Sequence, residues 1–151
     1  MSTRRLPFAV ICLLWAGIVI GISFIEAPVK FHAPTLTRVV AFDVGRTVFR
    51  ASQYVQAAFA LLAVGAALLG RVPRWTWVCL GLGVSSLVVQ MGWLFPLLDS
   101  RAQAIISGGV PSGANPHGAY GALEVAKLLA LVTGAVLALL PAGPTTPALP
   151  K

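Results

Sequence analysis

Three predominantly apolar stretches of twenty residues or more that end at charges on both sides delimit candidate spans: 6–25 between Arg5 and Glu26, 51–70 between Arg50 and Arg71, and 75–98 between Arg74 and Asp99. Each is long enough to cross a bilayer, since about 20 residues at 1.5 Å apiece cover a hydrocarbon core of about 30 Å. Arg4 and Arg5 precede the first run as they would in a signal peptide. That run is long, however, and Ala27 at its end is followed by Pro28, a poor cleavage context, so we read it as an uncleaved helix.

The fourth apolar run is the informative one. Between Lys127 and Pro141 it holds only 13 residues, about 20 Å of helix, too short to cross. A spanning helix must therefore begin near Gly118, which draws Glu124 and Lys127 into the membrane, about 9 Å and 13 Å from its start. Buried ionisable groups follow from length alone.

The expected fold is an all-α polytopic membrane protein, a four-transmembrane-helix bundle forming a single transmembrane domain with spans near 6–25, 47–70, 75–98 and 118–140. Between the first two spans, Pro28 and Pro34 suggest an elbow. After it Leu36, Val39, Val40 and Phe42 alternate with Thr37, Arg38 and Asp43 as in an interfacial segment. Gly, Pro, Ser and Asn make 107–116 a loop, and the proline-rich 141–151 reads as a disordered tail.

Composition agrees: 58% of residues are hydrophobic and 10% charged, against roughly 25% charged in soluble domains. A cytosolic enzyme is excluded. The net charge of +7 is spread over isolated basic residues with no basic run, so no nucleic acid is implied, and the partner that composition names is the lipid bilayer. Loop charges divide evenly, Arg4, Arg5, Arg71, Arg74 and Lys151 against Lys30, Arg38, Arg46, Arg50 and Arg101. The pair before the first helix and the short basic link 71–74 favour an inner (plasma) membrane protein with both termini cytoplasmic.

Small residues repeat at fourfold spacing, Gly17 with Gly21 in the first span and Gly118, Ala122, Ala126, Ala130, Gly134 and Ala138 in the last. Such stripes allow close helix contact within the chain, in a homodimer or with a membrane partner. Trp15, Trp75, Trp77 and Trp93 fall mostly toward span ends, as interface anchors do. Cys12 and Cys79 read as small buried apolar side chains, with no redox or zinc spacing.

The candidate chemistry lies in polar residues that an up-down topology gathers into one half of the membrane. His117, Tyr120, Glu124 and Lys127 share one face of the fourth helix. Arg46, Arg50 and Gln53 stripe the second, Gln90 interrupts the third, and Glu26 closes the first. Intramembrane ionisable groups are costly and usually pair or line a wet cavity. Glu124 with Lys127 could be a self-neutralising pair, and Arg50 could reach Glu124 across the bundle. No catalytic residue stands out, and no cofactor is implied. His32 and His117, near Glu26 and Asp99, are weak metal or haem ligand candidates.

The strings Trp15-Ala16-Gly17, Ser23-Phe24-Ile25-Glu26-Ala27-Pro28-Val29-Lys30-Phe31, Val44-Gly45-Arg46-Thr47-Val48-Phe49 and His117-Gly118 carry a resemblance. They resemble small bacterial inner-membrane proteins of the transmembrane protein 205-like group. The resemblance implies four helices and a bacterial inner membrane but brings no established activity, and the Glu124 and Lys127 pair departs from that group's more apolar last helix. Three functions are expected to compete: a non-enzymatic bundle whose outer-half polar cavity binds a small ligand or partner, a proton-coupled transporter acting as a homodimer, and a membrane haem or metal redox subunit.

Overall fold

The computed structural model describes residues 3–141. The disordered tail expected over 141–151 lies, beyond Pro141, outside the described residues. Four helices are long and apolar enough to cross a membrane: α1 (Thr3–His32), α2 (Arg38–Gly70), α3 (Arg74–Ile106) and α4 (His117–Leu139). They run up and down, with α4 packed on α3 and α1, α1 on α2, and the last turns of α3 on α2. No strand occurs among the described residues.

Three helices are longer than the charge-free runs, because their charged turns continue the helix instead of ending it. The amphipathic stretch around Leu36–Asp43 does not form a separate element. Arg38 to Asp43 are the opening turns of α2, capped by Thr37, whose Oγ1 accepts the amide of Val40 at 3.4 Å. The elbow is only residues 33–37. Pro34 drives Ala33 out of the helical region, to ψ 118°, which ends α1.

Two π-helical turns, Ile20–Glu26 in α1 and Gln90–Leu94 in α3, have a common cause. Each lies just before a proline, Pro28 or Pro96, whose ring displaces the carbonyl four residues earlier and offers no amide in return. Phe24 and Gly92, the residues that meet those rings, both fall within the widened turns. Helix continuity survives through longer bonds, as where the amide of Ala27 reaches the carbonyl of Ile22.

The main apolar core fills the half of the bundle that holds residues 3 and 70–74. Phe8, Cys12, Ala63, Ala67, Leu80, Leu87, Leu131, Ala135 and Ala138 meet there. The small-residue stripe of α4 is split. Ala130, Gly134 and Ala138 are buried, and a Cβ on Gly134 would stand 3.1 Å from that of Cys79, whereas Gly118, Ala122 and Ala126 are exposed. A Cβ added at Gly17 or Gly21 would meet nothing within 4 Å, so no close helix approach within the chain requires glycine there. Trp15 departs from the interface reading: it is fully buried in mid-helix, while Trp75, Trp77 and Trp93 are exposed.

The α2–α3 link is tight. Arg71 takes a left-handed φ of 48° and its amide caps the carbonyl of Ala67, a position that favours glycine. A Cβ on the preceding Gly70 would lie 2.7 Å from the backbone carbonyl oxygen of Arg4, which can retreat only by moving the start of α1. We therefore expect Arg71→Gly to raise stability by about 0.5–1 kcal/mol and Gly70→Ala to lower it. Thermal unfolding of the two variants in mild detergent checks both signs.

Candidate functional site

The polar residues of the four helices form two tiers. The deeper one is centred on Lys127, ten residues into α4 and so about 15 Å from its first residue, near the helix midpoint. Lys127 is fully buried. Its Nζ donates to Gln56 Oε1 at 2.7 Å, Gln90 Oε1 at 2.7 Å and Glu124 Oε1 at 3.1 Å, which uses all three of its protons. Gln90 Nε2 donates to Glu124 Oε1 at 2.8 Å and to the carbonyl of Tyr120 at 3.3 Å. Gln56 Oε1 also accepts from Trp15 Nε1 at 3.1 Å, and Gln56 Nε2 donates to Ser52 Oγ at 3.2 Å.

Each helix thus sends a side chain to one point: Trp15 from α1, Gln56 from α2, Gln90 from α3, Glu124 and Lys127 from α4. Two polar atoms of this region stay without a partner, Glu124 Oε2 and Gln53 Nε2, although both are buried. In an apolar surrounding a buried polar atom without a hydrogen-bond partner is costly.

The upper tier lies at the end where α4 begins. Counting upward from the Lys127 level, α4 has ten further residues to His117, whereas α2 has eighteen from Gln56 to Arg38 and α3 sixteen from Gln90 to Ile106. The bundle therefore loses its fourth wall about two turns early. The result is a half-open cavity of about 650 Å³, lined by parts of all four helices and by Pro111 and Asn115 of the loop. Its floor is aromatic and apolar, with Phe49 edge-on to Tyr120 at 5.7 Å between centroids, beside Leu94 and Phe95.

The cavity wall carries Lys30, Arg38, Arg46, Arg101 and His117 against a single carboxylate, Asp99. Asp99 is already engaged, by Arg46 Nε at 2.8 Å, Arg50 Nη2 at 3.2 Å and Gln103 Nε2 at 3.0 Å. Glu26 holds Lys30 at 3.1 Å, one turn along α1. Lys30 also explains Gly45: a Cβ there would meet its Nζ at 2.6 Å.

The sequence-derived candidates are therefore divided. Arg46, His117 and Tyr120 line the cavity; Glu26 and Arg50 support it through Lys30 and Asp99. Gln90, Glu124 and Lys127 belong to the deeper tier, and Gln53 lies buried at its edge. They do not enclose one common cavity, and Arg50 pairs with Asp99, not with Glu124. Polar participants that were not among these candidates include Trp15, Ser52 and Gln56 in the network, and Lys30 and Arg38 on the wall. Gln56 could have been found, because it follows Ser52 by four and Gln53 by three on the face of α2 that turns inward. His32 is exposed, with Nδ1 2.9 Å from the carbonyl of Pro28. Among the described residues no group of three His, Cys, Asp or Glu side chains is placed to hold a metal ion.

Because Lys127 is the common donor, its loss leaves Glu124 and Gln90 Oε1 stranded. Lys127→Met should cost about 3 kcal/mol, while adding Glu124→Gln should restore much of it, since the new amide can donate to Gln90 Oε1. Trp15→Phe should cost less, about 0.5–1 kcal/mol, because Gln56 Oε1 keeps its bond from Lys127. Unfolding of the four proteins in one detergent tests the order. No family model matches the chain, and no curated protein or solved structure does.

Proposed function

We propose that this protein is a non-enzymatic binding protein of the bacterial inner membrane, and that the cavity above Tyr120 receives a small ligand. The observation that carries this reading is the coexistence in one space of about 650 Å³ of an aromatic floor and a wall of cations. A ligand pocket of this kind has apolar walls with a few placed polar groups. The resemblance to the transmembrane protein 205-like group supports the compartment. The end opposite the cavity carries Arg4, Arg5, Arg71 and Arg74 with no acidic residue beside them, which supports placing it in the cytoplasm and the cavity on the far side.

Ala27 lines the cavity and offers a way to fill it. The protein released from its own membrane should carry one small-molecule adduct per chain in native mass spectrometry, and Ala27→Phe should lose it with unchanged helicity. Adducts held equally by both proteins would place binding elsewhere.

The proton-coupled transporter has one observation of its own, the buried and unpartnered Oε2 of Glu124 one turn below Tyr120. Against it, the bundle beyond Lys127 is packed with Cys12, Ala63, Leu80, Leu131 and Ala135. Among the described residues the buried polar side chains in that half are Thr76 and Ser86, and the Ser86 hydroxyl is spent on the carbonyl of Leu82. A proton reaching Glu124 from the cavity has no polar route onward. In liposomes enclosing a pH-sensitive dye we expect no proton flux that Glu124→Gln abolishes; such a flux would install the transporter reading instead.

A further inference from the structure

The charges on the cavity wall do not balance, and the imbalance has a chemical sense. Lys30 is satisfied by Glu26, and Arg46 by Asp99 and, at 3.7 Å, Asp43. Arg38 and Arg101 have no carboxylate within salt-bridge distance among the described residues. Both are nevertheless held in place. Arg101 Nη1 donates to the carbonyls of Ser112 and Gly113, each at 2.9 Å. That leaves its Nε and Nη2 protons free of these bonds. Arg38 stacks over Phe42, 5.7 Å from ring centre, and Phe42 in turn meets Phe31 edge-on at 5.4 Å. Two positioned, uncompensated guanidinium groups facing one cavity form a receptor for an anion.

What carries that anion is indicated by the vertical arrangement. Place the Lys127 tier at mid-bilayer, as the helix lengths require. His117 and Arg46 then stand ten residues above it, Asp99 nine and Arg101 eleven, all about 14–17 Å from the centre at the standard rise. That is the boundary of a hydrocarbon core about 30 Å thick, where lipid phosphates begin. The floor residues Tyr120, Phe49 and Phe95 lie five to seven residues above the tier, about 8–11 Å from the centre and so within the hydrocarbon. The cavity is apolar at acyl depth and cationic at headgroup depth.

We infer that the ligand of this cavity is an amphipathic anion, a phosphate or carboxylate head held by Arg101 and Arg38 with a hydrocarbon tail laid on Phe49, Phe95 and Tyr120. This rests on the ligand-binding reading given above and names its chemistry. Asp99 has a role in it: occupied by Arg46 and Arg50, it presents no free negative charge to repel the head. Arg101 is the primary contact, because it sits at headgroup level; Arg38 starts eighteen residues above the Lys127 level, about 27 Å from the centre, and reaches the head from above with its extended side chain.

The test uses the full-length protein, delipidated in an uncharged maltoside detergent and followed by thermal unfolding. Three probes are titrated: dodecyl phosphate, dodecylphosphocholine with the same tail but no net charge, and inorganic phosphate. Dodecyl phosphate should stabilise saturably, at concentrations at least tenfold below the other two. The double substitution Arg38→Gln/Arg101→Gln should remove that preference, and Ala27→Phe should abolish stabilisation altogether. Equal action of inorganic phosphate would show a free-anion site without a tail subsite and overturn the inference. Equal action of dodecylphosphocholine, lost in Ala27→Phe, would overturn the charge assignment while leaving the cavity as a binding site. No saturable effect from any probe would count against both. A preference that persists in the double variant would remove the two arginines from the site.

Discussion

One ammonium group organises this bundle. Lys127 brings its charge to the middle of four apolar helices, where it cannot be left bare, and its three protons can be met only if α2, α3 and α4 hold one relative height. Trp15 ties α1 to the same acceptor. In lipid the apolar surfaces of the helices gain little by meeting each other, so packing alone specifies register weakly. A directional, fully used donor in the centre specifies it strongly. Everything above and below inherits that alignment, including the level at which Arg46, Asp99, Arg101 and His117 come together.

The two ends of the molecule then solve different problems. Toward the end that holds the α2–α3 link, small side chains let the helices close up, as at Gly134 against Cys79 and Gly83 against Leu131. Toward the other end the helices part, prolines widen α1 and α3, and charged side chains replace apolar ones. Ion pairs there work mainly as positioning devices: Glu26 steers Lys30, and Asp99 steers Arg46 and Arg50. Half of the Arg50 side chain surface is exposed, so its bond adds little to stability by itself.

Much of this could be read from the residue order because lipid imposes a length requirement that composition alone must meet. The thirteen apolar residues after Lys127 are too few to cross a bilayer, so a helix long enough to span one has to carry Glu124 and Lys127. Helix ends were less legible. Charges at Arg46 and Asp99 look like stop signals when each run is read alone, but neighbouring helices neutralise them and the turns continue. The division into two tiers was also hidden, since Gln53 and Gln56 differ by less than one turn, yet Gln56 bonds Lys127 and Gln53 does not. Trp15 misled for a related reason: indole suits an interface in general, and here a buried glutamine offered its N–H a partner.

The early start of the open region above α4 has a consequence for how such a protein can diversify. The cavity exists because one helix is shorter than its three neighbours on one side of the Lys127 level, and nothing in the network below refers to that length. Residues added or removed between Ile106 and His117 would raise or lower the roof of the cavity while every bond to Lys127 stayed as it is. Cavity size and fold integrity are thus set by separate stretches of chain, so a lineage could reshape the cavity without passing through an unstable intermediate.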